Sequence, residues 1–165
     1  MIVIGVDPGT IVTGYGIVKQ QDRMHLVIDY GCIRPPAKEK LSERYNVIYN
    51  GIDHLLVTYQ PDVLVVETQY VNKNPQSAIK LGMARGVIVL AATRRGIPVM
   101  EYTPSKAKLA VVGNGKASKN QVQNMVKVLL NLPTLPEPED AADALALAIC
   151  HLNAARYQQA IGELL

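Results

Sequence analysis

From Ala141 to Cys150 the chain reads Ala-Ala-Asp-Ala-Leu-Ala-Leu-Ala-Ile-Cys, and Asp143 is its only polar side chain. A helix that is apolar all round is a buried helix. Burying a lone carboxylate is costly unless it is paired or coordinated. Asp140 lies three residues earlier, on the same helix face. Two carboxylates so close repel each other unless a cation sits between them. Asp140 alone reads as a helix-start acid favoured by the macrodipole. Asp143 lies past the first turn, and no Lys or Arg stands nearby in sequence to neutralise the pair.

The pattern upstream of this helix is α/β. Met1–Val6 and Thr13–Lys19 are apolar runs separated by the turn signal Asp7-Pro8-Gly9-Thr10, and Met24–Ile33 alternates. Short connections make these three strands an antiparallel meander. Leu41, Tyr45, Ile48, Ile52, Leu55, Leu56 and Tyr59 then repeat at helical spacing. Val63–Val66 is a buried strand behind Pro61-Asp62. Asn74-Pro75 predicts the start of a helix over about Gln76–Arg95, ended by Gly96. Ile97–Tyr102 is a short strand, and Thr103-Pro104 opens a short helix. Ser118 to Gln121 is a capping box before a helix to about Leu130. Pro133, Pro136 and Pro138 mark a stiff loop, and the last helix runs from about Glu139 to the mid-150s. The expectation is a mixed sheet, a three-strand meander plus parallel strands, with helices on both faces. At 165 residues it forms a single domain, residues 1–165.

Two further acids end apolar strands: Asp7 ends the first and Glu67 ends Val63–Val66. Ligand sites in open α/β sheets gather at the carboxyl ends of strands. If those strands are parallel neighbours, their acids emerge side by side. Taken singly, Asp7 could simply form a turn and Glu67 could be an ordinary exposed strand end. Taken with Asp140 and Asp143, four acids could converge. All-oxygen ligation selects a hard cation, Mg²⁺ or Mn²⁺. Two such ions can activate a water and stabilise the leaving oxygen in phosphodiester hydrolysis.

Charge along the chain points to the same chemistry. Residues 71–127 carry ten basic side chains and one acid, Glu101, between two acidic flanks, although the whole chain is only +3. Such a stretch cannot pair internally, so its charges repel each other or meet a polyanion. A nucleic-acid backbone fits. The candidate contacts are Lys73, Lys80, Arg85, Lys108, Lys116 and Lys119, with Asn74 and Ser77 at a helix start. Tyr70 sits just beyond Glu67 and could stack on an exposed base, or simply pack its loop. Gly113–Lys116 reads as a flexible loop near DNA.

Other chemistries find no support. His25, His54 and His151 lack metal-ligand spacing; His151, two turns after Asp143 on about the same helix face, could support the acids but reads first as a packed helix residue. Cys32 and Cys150 make no framework, and no apolar run reaches the length of a membrane span. With no secretory signal at its start, the chain reads as reduced and cytoplasmic. There is no nucleophile elbow, P-loop or dinucleotide fingerprint.

Asp7-Pro-Gly-Thr with Thr13-Gly-Tyr-Gly16, Glu67-Thr-Gln-Tyr-Val with Asn74-Pro-Gln-Ser-Ala-Ile-Lys-Leu-Gly82, and Glu139-Asp-Ala-Ala-Asp-Ala-Leu-Ala146 closely resemble the RuvC family of Holliday junction resolvases. Ala84-Arg-Gly86, Val111-Val-Gly113 and Lys119-Asn-Gln-Val122 also fit, so the resemblance covers nearly the whole chain. It implies an RNase H-like fold, a homodimer and paired nicking of four-way DNA junctions with Mg²⁺, for which Mn²⁺ could substitute. The family's catalytic and metal-binding carboxylates map onto Asp7, Glu67, Asp140 and Asp143. Tyr70 takes the place of a stacking Phe, and basic DNA contacts map onto Lys108 and Lys119. The RuvA–RuvB branch-migration complex is a further candidate partner. Gly82, Ala84 and Gly86 would let the helix starting near Asn74 build the dimer interface. The rival readings are a non-catalytic structure-specific DNA-binding module, another RNase H-like nuclease, and an ATPase of the sugar kinase–Hsp70–actin type. The last needs a second lobe and a second phosphate motif.

Overall fold

A computed structural model describes residues 1–68 and 74–162. Five strands form one sheet: β1 (Ile2–Asp7), β2 (Thr13–Gln21), β3 (Met24–Ile33), β4 (Val63–Glu67) and β5 (Val99–Tyr102). Their order across the sheet is β3-β2-β1-β4-β5. The first three pair antiparallel, as their short connections require, while β4 runs parallel to β1 and β5 parallel to β4. Helices α1 (Leu41–Tyr59) and α2 (Pro75–Arg94) cover one face; α3 (Pro104–Val112), α4 (Lys119–Leu129) and α5 (Glu139–Gly162) cover the other. This is the mixed, doubly covered α/β sheet expected from the sequence.

The two-residue period of the central strands divides the core in two. Val3, Val63 and Val65 face α3–α5 with Leu145 and Ile149. Ile4, Val6, Leu64 and Val66 face α1 and α2 with Ile48, Ile52 and Ile88. Both faces of β1 and β4 are therefore dry, which is why these strands read as continuous apolar runs. By the same alternation Asp7 and Glu67 belong to the α5 face.

Local signals place the helix starts. Asn74 Oδ1 accepts from the backbone N–H groups of Gln76 and Ser77, and Thr103 accepts from Lys106 N. At α4 the capping box is complete: Gln121 N donates to Ser118 Oγ and Ser118 N to Gln121 Oε1. The last helix runs further than its apolar segment predicts, to Gly162, because its final turns continue as a polar, exposed extension. Among the described residues no helix is long and apolar enough to cross a membrane.

Candidate active site

One row of pleats across the sheet organises the site. Asp7 pairs with Gly14 of β2, and Gly14 pairs with Cys32 of β3. On the other side Val6 pairs with Val66, so Glu67 follows beside Asp7, and Glu67 pairs with Tyr102 of β5. The row Cys32, Gly14, Asp7, Glu67, Tyr102 thus crosses all five strands. Parallel pairing of β1 and β4 sets the two acids next to each other at the carboxyl ends of their strands.

Helix α5 brings the other two acids down onto this row. Gly14 has no side chain, and a Cβ there would lie 2.1 Å from the Asp140 carbonyl oxygen. The first turn of α5 therefore rests on the backbone of β2. One turn on, Asp143 reaches a cleft of about 250 Å³ lined by Asp7, Glu67, Asp143, Lys108, Lys119, Pro104, Ala107, Val122 and Ala146. Asp140 does not line that cleft, yet its charge acts on both Asp7 and Asp143.

The electrostatics are those of crowded, half-buried carboxylates. Burial, followed by the charges of Glu67, Asp143 and Asp140, pushes Asp7 up to about 8, against a pull downward from Lys119. Burial and then Asp143 raise Glu67 to about 7, opposed by Lys108 and Lys119. Asp143 is raised by burial first, with Lys119 as the main opposing charge. Lys119 Nζ meets Glu139 at 3.3 Å, and that hydrogen bond holds its ammonium above the usual lysine range. The sequence placed no base near Asp140 and Asp143; the fold brings Lys119 and Lys108 from α4 and α3.

A hard divalent cation suits this donor set, because it is all oxygen and because each ionised acid raises the others. Among the described residues, however, no three His, Cys, Asp or Glu side chains are gathered closely enough to hold a metal ion. Asp7, Glu67 and Asp143 face a common cleft without closing a cage.

The family model for "Crossover junction endodeoxyribonuclease RuvC" matches residues 3–151. The chain belongs to the RuvC family. A RuvC of Protochlamydia amoebophila is 64% identical over 151 residues, covering 92% of this chain and 90% of the relative. One from Ruminiclostridium cellulolyticum is 48% identical over 98% of both chains. Among solved structures, T. thermophilus RuvC in complex with Holliday junction substrate superposes with a TM-score of 0.90, at 33% identity over 96% of both chains. The yeast mitochondrial resolvase Ydc2, at 15% identity and a TM-score of 0.67, shares the fold.

The residues through which a RuvC protein could meet DNA are unevenly placed. Asn74, Ser77 and Lys80 are exposed along the start of α2, and Lys116 and Lys119 are exposed beside α4. Lys108 is half-buried in the cleft wall. Arg85 forms an ion pair with Glu101. The basic stretch therefore does pair internally, through its single acid, contrary to the sequence expectation. Arg95 also leaves it to pair with Asp53 at 2.6 Å. Tyr70 and Lys73 lie outside the described residues. The Gly113–Lys116 loop is tied rather than loose: Lys116 N donates to Asn114 Oδ1 at 2.9 Å, and Gly113 caps α3 with φ +79°.

One neighbour escaped the sequence reading. Cys32 sits near Asp140 and Asp7; burial and Asp140 push its thiol up to about 11. Register alone reveals it, and register is not visible before the strands are paired. His151 does pack, as expected: its Nδ1 lies 3.0 Å from the Tyr102 hydroxyl.

Proposed function

We propose that this chain is a homodimeric endodeoxyribonuclease of one RNase H-like domain. It resolves four-way DNA junctions by paired symmetric nicks, leaving 5′-phosphate and 3′-hydroxyl ends. Asp7, Glu67, Asp140 and Asp143 would hold two Mg²⁺ ions, with Mn²⁺ able to substitute. The observation that carries this reading is the single cleft in which three raised carboxylates meet two lysines, in a chain of the RuvC family.

When bound, the cation would supply a Lewis acid that lowers the pKa of water and steadies the departing oxygen. The chain's own groups do the rest. Asp7, flanked by the other three acids, would concentrate negative charge where a cation must sit. Lys108 and Lys119 moderate that charge and offer ammonium groups to the scissile phosphate and its neighbours. Asn74, Ser77, Lys80 and Lys116 would hold the backbone further out, and Tyr70 would stack on a base.

Paired nicks need two sites related by symmetry. The outer face of α2 fits a self-complementary contact: Ile79, Met83 and Leu90 are exposed, and Gly82 and Gly86 have open space around them. Ala84, expected on this face, is fully buried on the other side of the helix. Met83→Glu should therefore yield monomers by sedimentation and turn paired nicks into isolated ones. A dimer that survives the change would place the interface elsewhere. The RuvA–RuvB complex would be a further partner.

The deciding experiment is cleavage of a synthetic four-way junction against a matched linear duplex, with Mg²⁺ at physiological salt. Symmetric nicks on the junction alone are expected. Tight binding without cleavage, in Mn²⁺ also, would favour a structural DNA-binding module. Lys119→Ala should weaken junction binding and lower the slope of log Kd against log salt by about one. An unchanged slope would mean that Lys119 touches no phosphate.

A further inference from the structure

Arg44 lies in the first turn of α1, and its Nη2 donates to the backbone oxygen of Thr10, in the loop joining β1 to β2. That loop begins immediately after Asp7. It is also closed on itself. The Thr13 hydroxyl donates to the Gly9 carbonyl oxygen at 2.7 Å and accepts from Gly9 N at 3.3 Å, and Thr13 is fully buried. There is no slack at Gly9, where a Cβ would fall 2.0 Å from the Val12 carbonyl oxygen. The Gly9–Thr13 ring makes the loop a unit, and Arg44 joins that unit to the helix layer. The anchor end is firm: the next residue, Tyr45, is buried and its hydroxyl donates to the Lys80 carbonyl oxygen of α2 at 3.0 Å.

Arginine is an unfavourable choice here if packing is all that is required. Arg44 Nε is sealed from solvent with no acceptor, and a buried unpaired donor is penalised. An aliphatic side chain would avoid that cost. What arginine adds is reach and a charge-assisted bond to one carbonyl oxygen. Its charge is not what the acids respond to, for the charges that act on Asp7 are Glu67, Asp143, Asp140 and Lys119.

We propose that Arg44 is a positioning residue for the nuclease reaction: through the Thr10 carbonyl it holds the β1–β2 loop so that Asp7 faces Glu67 and Asp143. This rests on the nuclease reading above. A bond one loop away from the chemistry matters because reactive groups displaced by about an ångström can lose two orders of magnitude in rate.

The test has one arm that needs no cleavage. Hydrogen exchange is followed in metal-free wild type, Arg44→Ala, Arg44→Lys and Asp53→Asn. The last breaks the Arg95 pair on the same helix, away from the loop. In Arg44→Ala the amides of residues 9–13 should exchange at least about tenfold faster, with α5 unchanged. Single-turnover junction cleavage should fall by about 10–100-fold, with Kd within about twofold and the salt slope unaltered. Arg44→Lys should recover part of both effects, and Asp53→Asn should show neither. Unchanged loop exchange would overturn the proposal. So would faster exchange spread through α5, which marks a general structural role, or a changed salt slope with an intact loop, which marks a phosphate contact. Wild type that cuts no junction would overturn the nuclease reading, while the exchange arm would still decide whether Arg44 anchors the loop.

Discussion

Asp7→Asn should abolish junction cleavage, by at least about a thousandfold, while junction binding should stay within about twofold; a thousandfold corresponds to roughly 4 kcal/mol of transition-state stabilisation. The substitution keeps the side chain's volume and removes its charge. Asp7 is the acid most exposed to the other three, with Glu67, Asp143 and Asp140 all acting on it. Removing it takes away the centre of the field that would hold a cation. The lysines proposed to grip DNA are untouched, so binding persists. Single-turnover cleavage and a junction-binding titration measured together decide this. Loss of both would mean that Asp7 organises the DNA surface and not the chemistry.

The same substitution should stabilise the metal-free protein. Asp7 in the folded chain keeps its proton up to about pH 8, against 3.8 for the free side chain. Glu67 does likewise between 4.5 and about 7. Between these limits the folded state binds more protons than the unfolded one, so stability is full at acid pH and falls as pH rises from about 4 to 8. Asparagine cannot ionise. At pH 8 in chelator, Asp7→Asn should exceed wild type by on the order of 1–3 kcal/mol, allowing for the part of the carboxyl that water still screens. That is several degrees in melting temperature, and near pH 4 the difference should vanish. Added Mg²⁺ should narrow the gap by stabilising wild type more. A variant less stable than wild type at pH 8 would show that Asp7 pays no electrostatic penalty in the fold.

Asp143 was legible in the sequence because its signal is local: one carboxylate in an apolar helix has few innocent explanations. Asp7 and Glu67 were legible as strand ends, and the parallel pairing of β1 with β4 supplies the adjacency that strand ends alone do not imply. The opposing lysines were not legible by spacing, since Lys108 and Lys119 stand 35 and 24 residues before Asp143 and meet it only through helix packing. Charge counting also misjudged the basic stretch, because ion pairs depend on distance in space: Arg95 finds Asp53, 42 residues away. Ala84 misled for a related reason. Small residues at 82, 84 and 86 look like one stripe, yet residues two apart on a helix do not share a face while residues four apart do, so Gly82 and Gly86 point outward together and Ala84 points into the core.

The seat of α5 was the least legible feature and carries the second large effect. Gly5 and Gly16 are partners across β1 and β2, and Gly14 is the partner of Asp7. A Cβ on Gly5 would lie 2.0 Å from the Ala144 carbonyl oxygen; on Gly16, 2.7 Å from Leu145 Cδ2; on Gly14, 2.1 Å from the Asp140 carbonyl oxygen. Bare backbone in both strands thus lets the helix lie flush on the sheet, and that depth is what sets Asp140 and Asp143 against Asp7. Gly14→Ala must lift the first turn of α5, because the obstacle is backbone and cannot rotate away. Overpacking of this kind costs about 1–3 kcal/mol. The loss in cleavage should be larger than that cost suggests, about a hundredfold or more, since two of the four acids move together relative to the other two. Junction binding should stay close to wild type, because Lys80 and Lys116 lie on other elements. Single-turnover cleavage well below the melting temperature separates the two effects. Wild-type cleavage by Gly14→Ala would mean that the depth of α5 on the sheet does not govern the reacting geometry, and that Asp140 and Asp143 reach their places by side-chain freedom alone.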